Sequence, residues 1–303
     1  MKYIHKWLLA LALLWAPLTA PVLHAALPQA APVVAAAFTH GLLWKIERPG
    51  VRPSYLFGTV HSEDPRVLNV PAVVQQAFDG ADSFAMEVLL DDSVTQQMAG
   101  RMFLPIRQDL RTLLGQALFT RTSSLMLEYG TPPEVVLRMK PWVVFTTLSL
   151  PKPETGLFLD RMLQANAVQQ GKRVHGLETI DEQLKVFDEI ALQDQIVLLE
   201  EAVENHAQLK RDLQQVIERY LARDLAGMQQ LSDEESSRLE NPRLVAEVER
   251  RLIYERNVRM AERMMPRLQE GNAFVAIGAL HLPGEQGVLR LLQQRGYSIS
   301  VVY

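Results

Sequence analysis

The chain contains no cysteine. Disulfides, a thiolate nucleophile, thiolate metal ligands and cysteine-linked lipid anchors are therefore all excluded. It also lacks a basic run. With a formal net charge of −4 it gives no electrostatic reason to bind nucleic acid. Nor does it contain an apolar stretch long enough to span a bilayer: the longest near the start, Trp7 to Ala16, stops at Pro17. A short basic head, Met1 to Lys6, precedes that stretch, and the region closes at Leu23-His24-Ala25, a small-residue cleavage point. This is the layout of a secretory signal peptide over residues 1–25, the alternative being an uncleaved anchor. Its removal takes Lys2 and Lys6 but no acidic residue, shifting the net charge to about −6. The mature protein is expected to be exported, periplasmic or secreted, without a stable transmembrane segment. A metal in such a chain would be held by His, Asp, Glu or Asn, which favours zinc, manganese, cobalt or iron over copper(I).

With 303 residues, 48% of them hydrophobic and 22% charged, the chain can bury a sizeable core without covalent help. Residues 26–41, rich in Ala and Pro, read as a flexible start. Leu42 to Ile46 alternates as a strand, Pro49-Gly50 and Pro53 mark a turn, and Tyr55 to Val60 forms the returning strand of a hairpin. A helix from Pro71 to Ala81 and a strand from Ser83 to Val88 come next. The middle reads as helical: Ser93 to Leu104, Leu110 to Gly115, Thr120 to Tyr129, Pro133 to Leu150, and Thr155 to Gln169. Lys172 to Glu178 interrupts it as a short strand and turn. Thr179 then caps a helix with Glu182 placed for a capping box. Charged helices run from Asp188 to about Leu225 and from Asn241 to Glu270. The final unit is a strand at Ala273, a helix over Pro283–Arg295 and a strand over Ser298–Tyr303.

Two of these segments match. Phe57-Gly58-Thr59-Val60-His61 and Ile277-Gly278-Ala279-Leu280-His281 each bring an apolar strand to a Gly-x-x-His, succeeded by a helix and another strand. One such motif is a weak signal; two in equivalent units predict an α/β fold with a duplicated strand–helix–strand core. That core forms one central sheet over residues 42–303, with a large helical insertion at about 92–270. Glycine before each histidine lets the backbone bend or approach a neighbour closely. Loops at strand ends are where sheet proteins place their chemistry.

Glu87 stands in an otherwise apolar strand, where a carboxylate needs a partner or a metal. His61, His281 and Glu87 thus form a plausible set of metal ligands with positions left for water. Without a metal, Glu87 as base and a histidine as acid would be the alternative. The plainer readings are core histidines bonded to backbone and an arginine partner for Glu87. Glu178 reads equally as a helix-dipole carboxylate, and Arg256-Asn257 as surface residues. His40 and His206 read as solvated, and Asp233-Glu234-Glu235 as a solvated helix start.

Taken together, Phe57 to Ser62, Ala85-Met86-Glu87, Gly176-Leu177-Glu178-Thr179, Glu255-Arg256-Asn257 and Val275 to Leu282 resemble the TraB/PrgY/GumN family, in the family's order and across nearly the whole mature chain. That family is grouped with the Tiki metalloproteases and with erythromycin-esterase and ChaN-type proteins. The resemblance implies a duplicated core with a helical insertion. It also implies a site built from the two Gly-x-x-His motifs, a glutamate and an Arg/Asn pair. It further implies a metal-dependent peptidase that uses manganese or cobalt and acts on a peptide or protein. His61, Glu87 and His281 would then be ligands. Glu87 or Glu178 would manage protons, and Arg256 with Asn257 would meet the oxyanion or substrate. A non-catalytic binding protein for haem, metal or a peptide signal is the alternative, since ChaN-type relatives bind haem.

Overall fold

The computed structural model describes residues 38–91, 98, 100–236 and 241–303. The signal-like segment, and half of the helix expected over Ser93–Leu104, lie outside them. One six-stranded sheet organises the rest, in the order β4-β3-β5-β2-β1-β6. Its strands are β1 (Leu43–Glu47), β2 (Ser54–Thr59), β3 (Ser83–Met86), β4 (Arg173–Gly176), β5 (Ala273–Gly278) and β6 (Ser298–Val301). β4, β3, β5 and β2 run parallel, and β1 is antiparallel to both β2 and β6.

The central position of β5 follows from its composition. Ala273 to Ile277 is an unbroken apolar run and every residue of it is buried, as a parallel strand covered on both faces requires. Phe274 packs edge-on against Phe78 with ring centres 5.3 Å apart and beside Phe57 at 5.9 Å, locking the helix Ala72–Asp79 onto the sheet. The two Gly-x-x-His strands are immediate neighbours, with Thr59 opposite Gly278. Four parallel strands therefore end on one edge of the sheet, delivering His61, Glu87, Glu178 and His281 to the same side.

The match between the two units is incomplete. β3 returns next to β5, whereas β6 is separated from the parallel strands by β1. The stretch between β3 and β5 is not wholly helical either, because β4 leaves it to extend the sheet beyond β3. Its helices build a second apolar core around Phe119, Trp142, Phe145 and Phe187, separate from the core that covers the sheet.

Several helices differ from their expected bounds. Pro133–Leu150 splits into Pro133–Val136 and Pro141–Leu148, because Pro141 begins a new helix where it could not continue one. The helix expected from Thr155 starts at Leu159. Glu63 takes the backbone N–H groups of Glu154, Thr155 and Gly156 instead, and Gly156 adopts a φ of 71°. Asp188 ends the helix Ile180–Asp188, and the next spans Leu192–Leu221. The capping box of Thr179 and Glu182 is present. Asn241–Glu270 divides into Pro242–Glu249, a π-helical turn Arg250–Tyr254 and Glu255–Glu270. The last helix is shorter than Pro283–Arg295, covering Val288–Gln294. Asp233 lies inside the helix Leu225–Ser236 and not at its start. Burial, with Glu249 nearby, raises its carboxyl to about 7. His206 is half-buried against the Tyr129 ring at 5.7 Å, while His40 is exposed.

Candidate active site at the ends of the parallel strands

Close backbone approach explains both glycines. A Cβ on Gly58 would lie 2.8 Å from Leu282 Cδ1 and 3.0 Å from the Ala279 backbone. On Gly278 it would lie 3.3 Å from both Glu87 Oε1 and His281 Cδ2. The first motif is also held from outside the sheet, since Tyr220 Oη donates to the Gly58 carbonyl at 2.9 Å.

Each histidine is gripped through Nδ1. His61 Nδ1 donates to Asp160 Oδ2 at 2.8 Å, and the buried Asp160 accepts a second bond from Thr59 Oγ1 at 2.7 Å. His281 Nδ1 donates to Asn257 Oδ1 at 2.6 Å. The Asn257 amide is fixed in turn by donating to the Gln286 carbonyl at 2.8 Å. Neither Nε2 is hydrogen-bonded among the described residues, which is the arrangement that presents an imidazole to an ion. The surroundings of the two rings differ. Burial opposes charge on His61, yet the Asp160 carboxylate lifts it to about 9. Burial and then the Arg256 guanidinium push His281 down to about 4. Exposure differs as well: the His61 side chain is 42% exposed and that of His281 6%.

Glu87 lies beside His281, its Oε1 3.8 Å from His281 Nε2 and accepting the Gly278 N–H at 2.8 Å. Its Oε2 accepts from Arg256 Nη2 at 2.5 Å. Burial alone would raise this carboxyl; Arg256, His281 and the Gly278 N–H overcome that and hold it at about 2. Arg256 also donates through Nε to Glu178 Oε2 at 2.8 Å, and Arg259 caps the other Glu178 oxygen at 2.6 Å. The Glu178 side chain is wholly buried and Arg256 nearly so; Asn257 is fully buried too, so neither residue of the Arg256-Asn257 pair is a surface residue. The π-helical turn Arg250–Tyr254 comes just before them, a distortion of a kind often found at functional sites.

The structure thus brings His61, Glu87, Glu178, Arg256, Asn257 and His281 to one edge of the sheet. The chemistry of two open imidazole nitrogens beside an ionised carboxylate fits a divalent ion. Among the described residues, no three His, Asp or Glu side chains stand close enough to form a ready-made cage. Asp160 joins the site without any signal in the sequence. It sits at the start of an ordinary amphipathic helix, and only the fold brings it 101 residues back to Thr59.

Comparison with known proteins finds relatives along most of the chain. The chain is 27% identical to Metalloprotease TIKI2 of Danio rerio over 97% of its own length and 67% of that protein. It is 26% identical to Metalloprotease TIKI2 of Xenopus tropicalis, covering 86% of this chain and 60% of the other. Metalloprotease TIKI1 of Homo sapiens matches at 25%, over 86% and 62%. The chain therefore spans about two thirds or less of the length of these relatives. No solved structure matches. The TraB/PrgY/gumN family matches residues 42–301, both Gly-x-x-His strands and everything between them, and the chain belongs to that family.

Proposed function

We propose that this is an exported metal-dependent hydrolase that cleaves peptide bonds. The observation that carries the reading is the pair of histidines at the ends of adjacent parallel strands. Each is fixed through Nδ1 and presents Nε2 on the same edge as Glu87. The relatives named metalloproteases support it. His61 Nε2, His281 Nε2 and a Glu87 oxygen would hold the ion, manganese or cobalt before zinc or iron. A divalent ion so held supplies an activated water and polarises the peptide carbonyl.

The residues around these ligands divide the remaining tasks. Asp160 and Asn257 set the two imidazole planes through Nδ1 and leave each Nε2 as the nitrogen that would face the ion, His61 giving up its Nε2 proton as the ion binds. Arg256, saturated by two carboxylates, fixes Glu87; its geometry favours this over reaching an oxyanion. Glu178, enclosed by Arg256 and Arg259, anchors that arginine and is placed for support, not for proton transfer. A metal-free acid–base pair is less suited. A carboxyl held at about 2 and an imidazole at about 9 both lie far from the neutral range where general catalysis works best.

The test is the metal content of the mature chain beside a His61→Ala/His281→Ala variant, followed by a peptide-library digest. Near-stoichiometric uptake by wild type alone, with multiple turnovers, is the expected result. Equal uptake by both proteins removes the assignment, and ligand-induced stabilisation without turnover leaves a binding protein instead.

A further inference from the structure

A cavity of about 770 Å³ opens beside His61, which forms part of its lining. It is bounded by the loop after β2, by residues 150–158 and by the helix Leu192–Leu221. Its walls are apolar, formed by Val60, Leu150, Phe158, Leu213, Val216 and Ile217. The Phe158 ring lies 5.0 Å from the His61 ring, so the wall continues into the site without a break. The mouth is polar, carrying Asp64, Arg66, Lys152 and Glu154.

One side of this cavity is tied in place by a single carboxylate. Glu63, two residues after His61, accepts from the N–H groups of Glu154 (3.1 Å), Thr155 (2.8 Å) and Gly156 (2.8 Å) and from Thr155 Oγ1 (2.9 Å). The loop 151–157 is thereby fastened to the Gly-x-x-His loop, and the cavity is pre-formed.

We infer that this cavity is the specificity subsite, and that it takes a pair of bulky apolar side chains of a peptide next to the bond that is cleaved. The inference rests on the hydrolase reading for the bond cleaved, but its binding chemistry is independent of it. The volume lies in the range of about 300–1,000 Å³ typical of pockets that bury a drug-sized ligand, a bulk comparable to two large side chains. An apolar interior favours aliphatic and aromatic side chains. The polar mouth suits the amide backbone that accompanies them; an acyl chain, whose carboxylate Arg66 or Lys152 would also meet, is the competitor that the test separates from the peptide. Substrates with polar residues at this position would lose the apolar burial and meet few polar groups in return, Tyr129, Thr147 and Gln214 among them.

Calorimetric titration of the metal-free mature chain tests this without turnover. The probes are acetyl-Gly-Gly-Leu-Phe-Gly-Gly-amide, its Ser-Asn counterpart, and decanoate as an acyl competitor. The Leu-Phe peptide is expected to bind at least about tenfold more tightly than Ser-Asn, the effect of burying one large apolar side chain. Ile217→Trp, which fills the cavity from a half-buried position, should abolish the difference; Leu213→Trp does the same should the first variant fold poorly. Equal binding of the two peptides, an unchanged preference in a folded filled variant, or decanoate binding where neither peptide binds would each overturn the proposal. Loss of the hydrolase reading shows separately, as absent metal uptake in a protein that still selects the Leu-Phe peptide.

Discussion

Replacing Arg256 by methionine keeps the volume of the side chain and removes the one cation shared by Glu87 and Glu178. In the native protein its Nη2 lies 2.5 Å from Glu87 and its Nε 2.8 Å from Glu178. The two carboxylates do not suffer equally. Glu178 keeps Arg259 at 2.6 Å, while Glu87 is left with the Gly278 N–H at 2.8 Å and the Gln183 amide at 3.3 Å. Breaking a buried ion pair from one side costs about 3–5 kcal/mol, and the surviving Arg259 contact puts Arg256→Met at the lower end, about 3 kcal/mol. At about 2–4 °C per kcal/mol for a domain of this size, the melting temperature should fall by roughly 6–12 °C. Arg256→Lys, a point charge unable to serve both carboxylates, should lie between the two proteins. The decisive sample is Arg256→Met combined with Glu87→Gln, which removes the stranded charge and should recover a large part of the loss. Urea denaturation of the four proteins at neutral pH reads all of this. A single variant within about 1 kcal/mol of wild type, or a double variant no more stable than the single, would refute the argument that Arg256 exists to hold buried carboxylates.

Two further outcomes rest on the same geometry. Glu182 is held at about 2, chiefly by hydrogen bonds from Arg263, with burial opposing and the Thr179 N–H adding to the effect. Its depressed folded value means its contribution is fully present above the unfolded value near 4.5 and disappears as pH falls towards 2. Glu182→Gln keeps the cap but removes the charge. It should cost about 1 kcal/mol at pH 7, after allowance for partial exposure, and nothing near pH 2; a pH-independent cost in urea melts would contradict this. Gly58→Ala forces a methyl against Leu282 and the Ala279 backbone and should destabilise by about 1–3 kcal/mol, whereas Gly100→Ala, with nothing within 4 Å of its new Cβ and no positive φ, should cost nothing. Comparable thermal shifts in the two variants would show that the tight β2–β5 contact is not the cause.

How far the sequence reveals the structure depends on the range of the interaction concerned. The two Gly-x-x-His strands and Glu87 are legible because each is a local pattern, an apolar run, a glycine and an out-of-place polar residue, although β3 ends at Met86 and Glu87 stands one residue past it, half-buried. The Thr179 cap is legible for the same reason. Asp160 is not, since an acid in the first turn of a helix is ordinary until the fold sets it against Thr59 and His61. The start of the helix at Leu159 is hidden by a long-range competitor, Glu63, which captures the N–H groups of the preceding loop. The break before Pro141 is of the opposite kind: apolar spacing alone carries a helix straight through it, although proline cannot continue one. Arg256 and Asn257 look like surface residues since nothing near them in sequence reveals the buried glutamates and histidine that they meet.

The strand order also dictates when the molecule can assemble. β2 and β3 belong to the first third of the chain, yet they are never neighbours; β5 lies between them. Ser54 on β2 and Ala273 at the head of β5 are 219 residues apart and joined by a hydrogen bond. Until that late strand is available, the sheet exists only as two halves with unpaired inner edges, and His61 and Glu87 have no common framework. Pairings of such long range are slow to form and leave strand edges exposed meanwhile. A chain interrupted before residue 273 would lose the keystone of the sheet, not merely its second histidine.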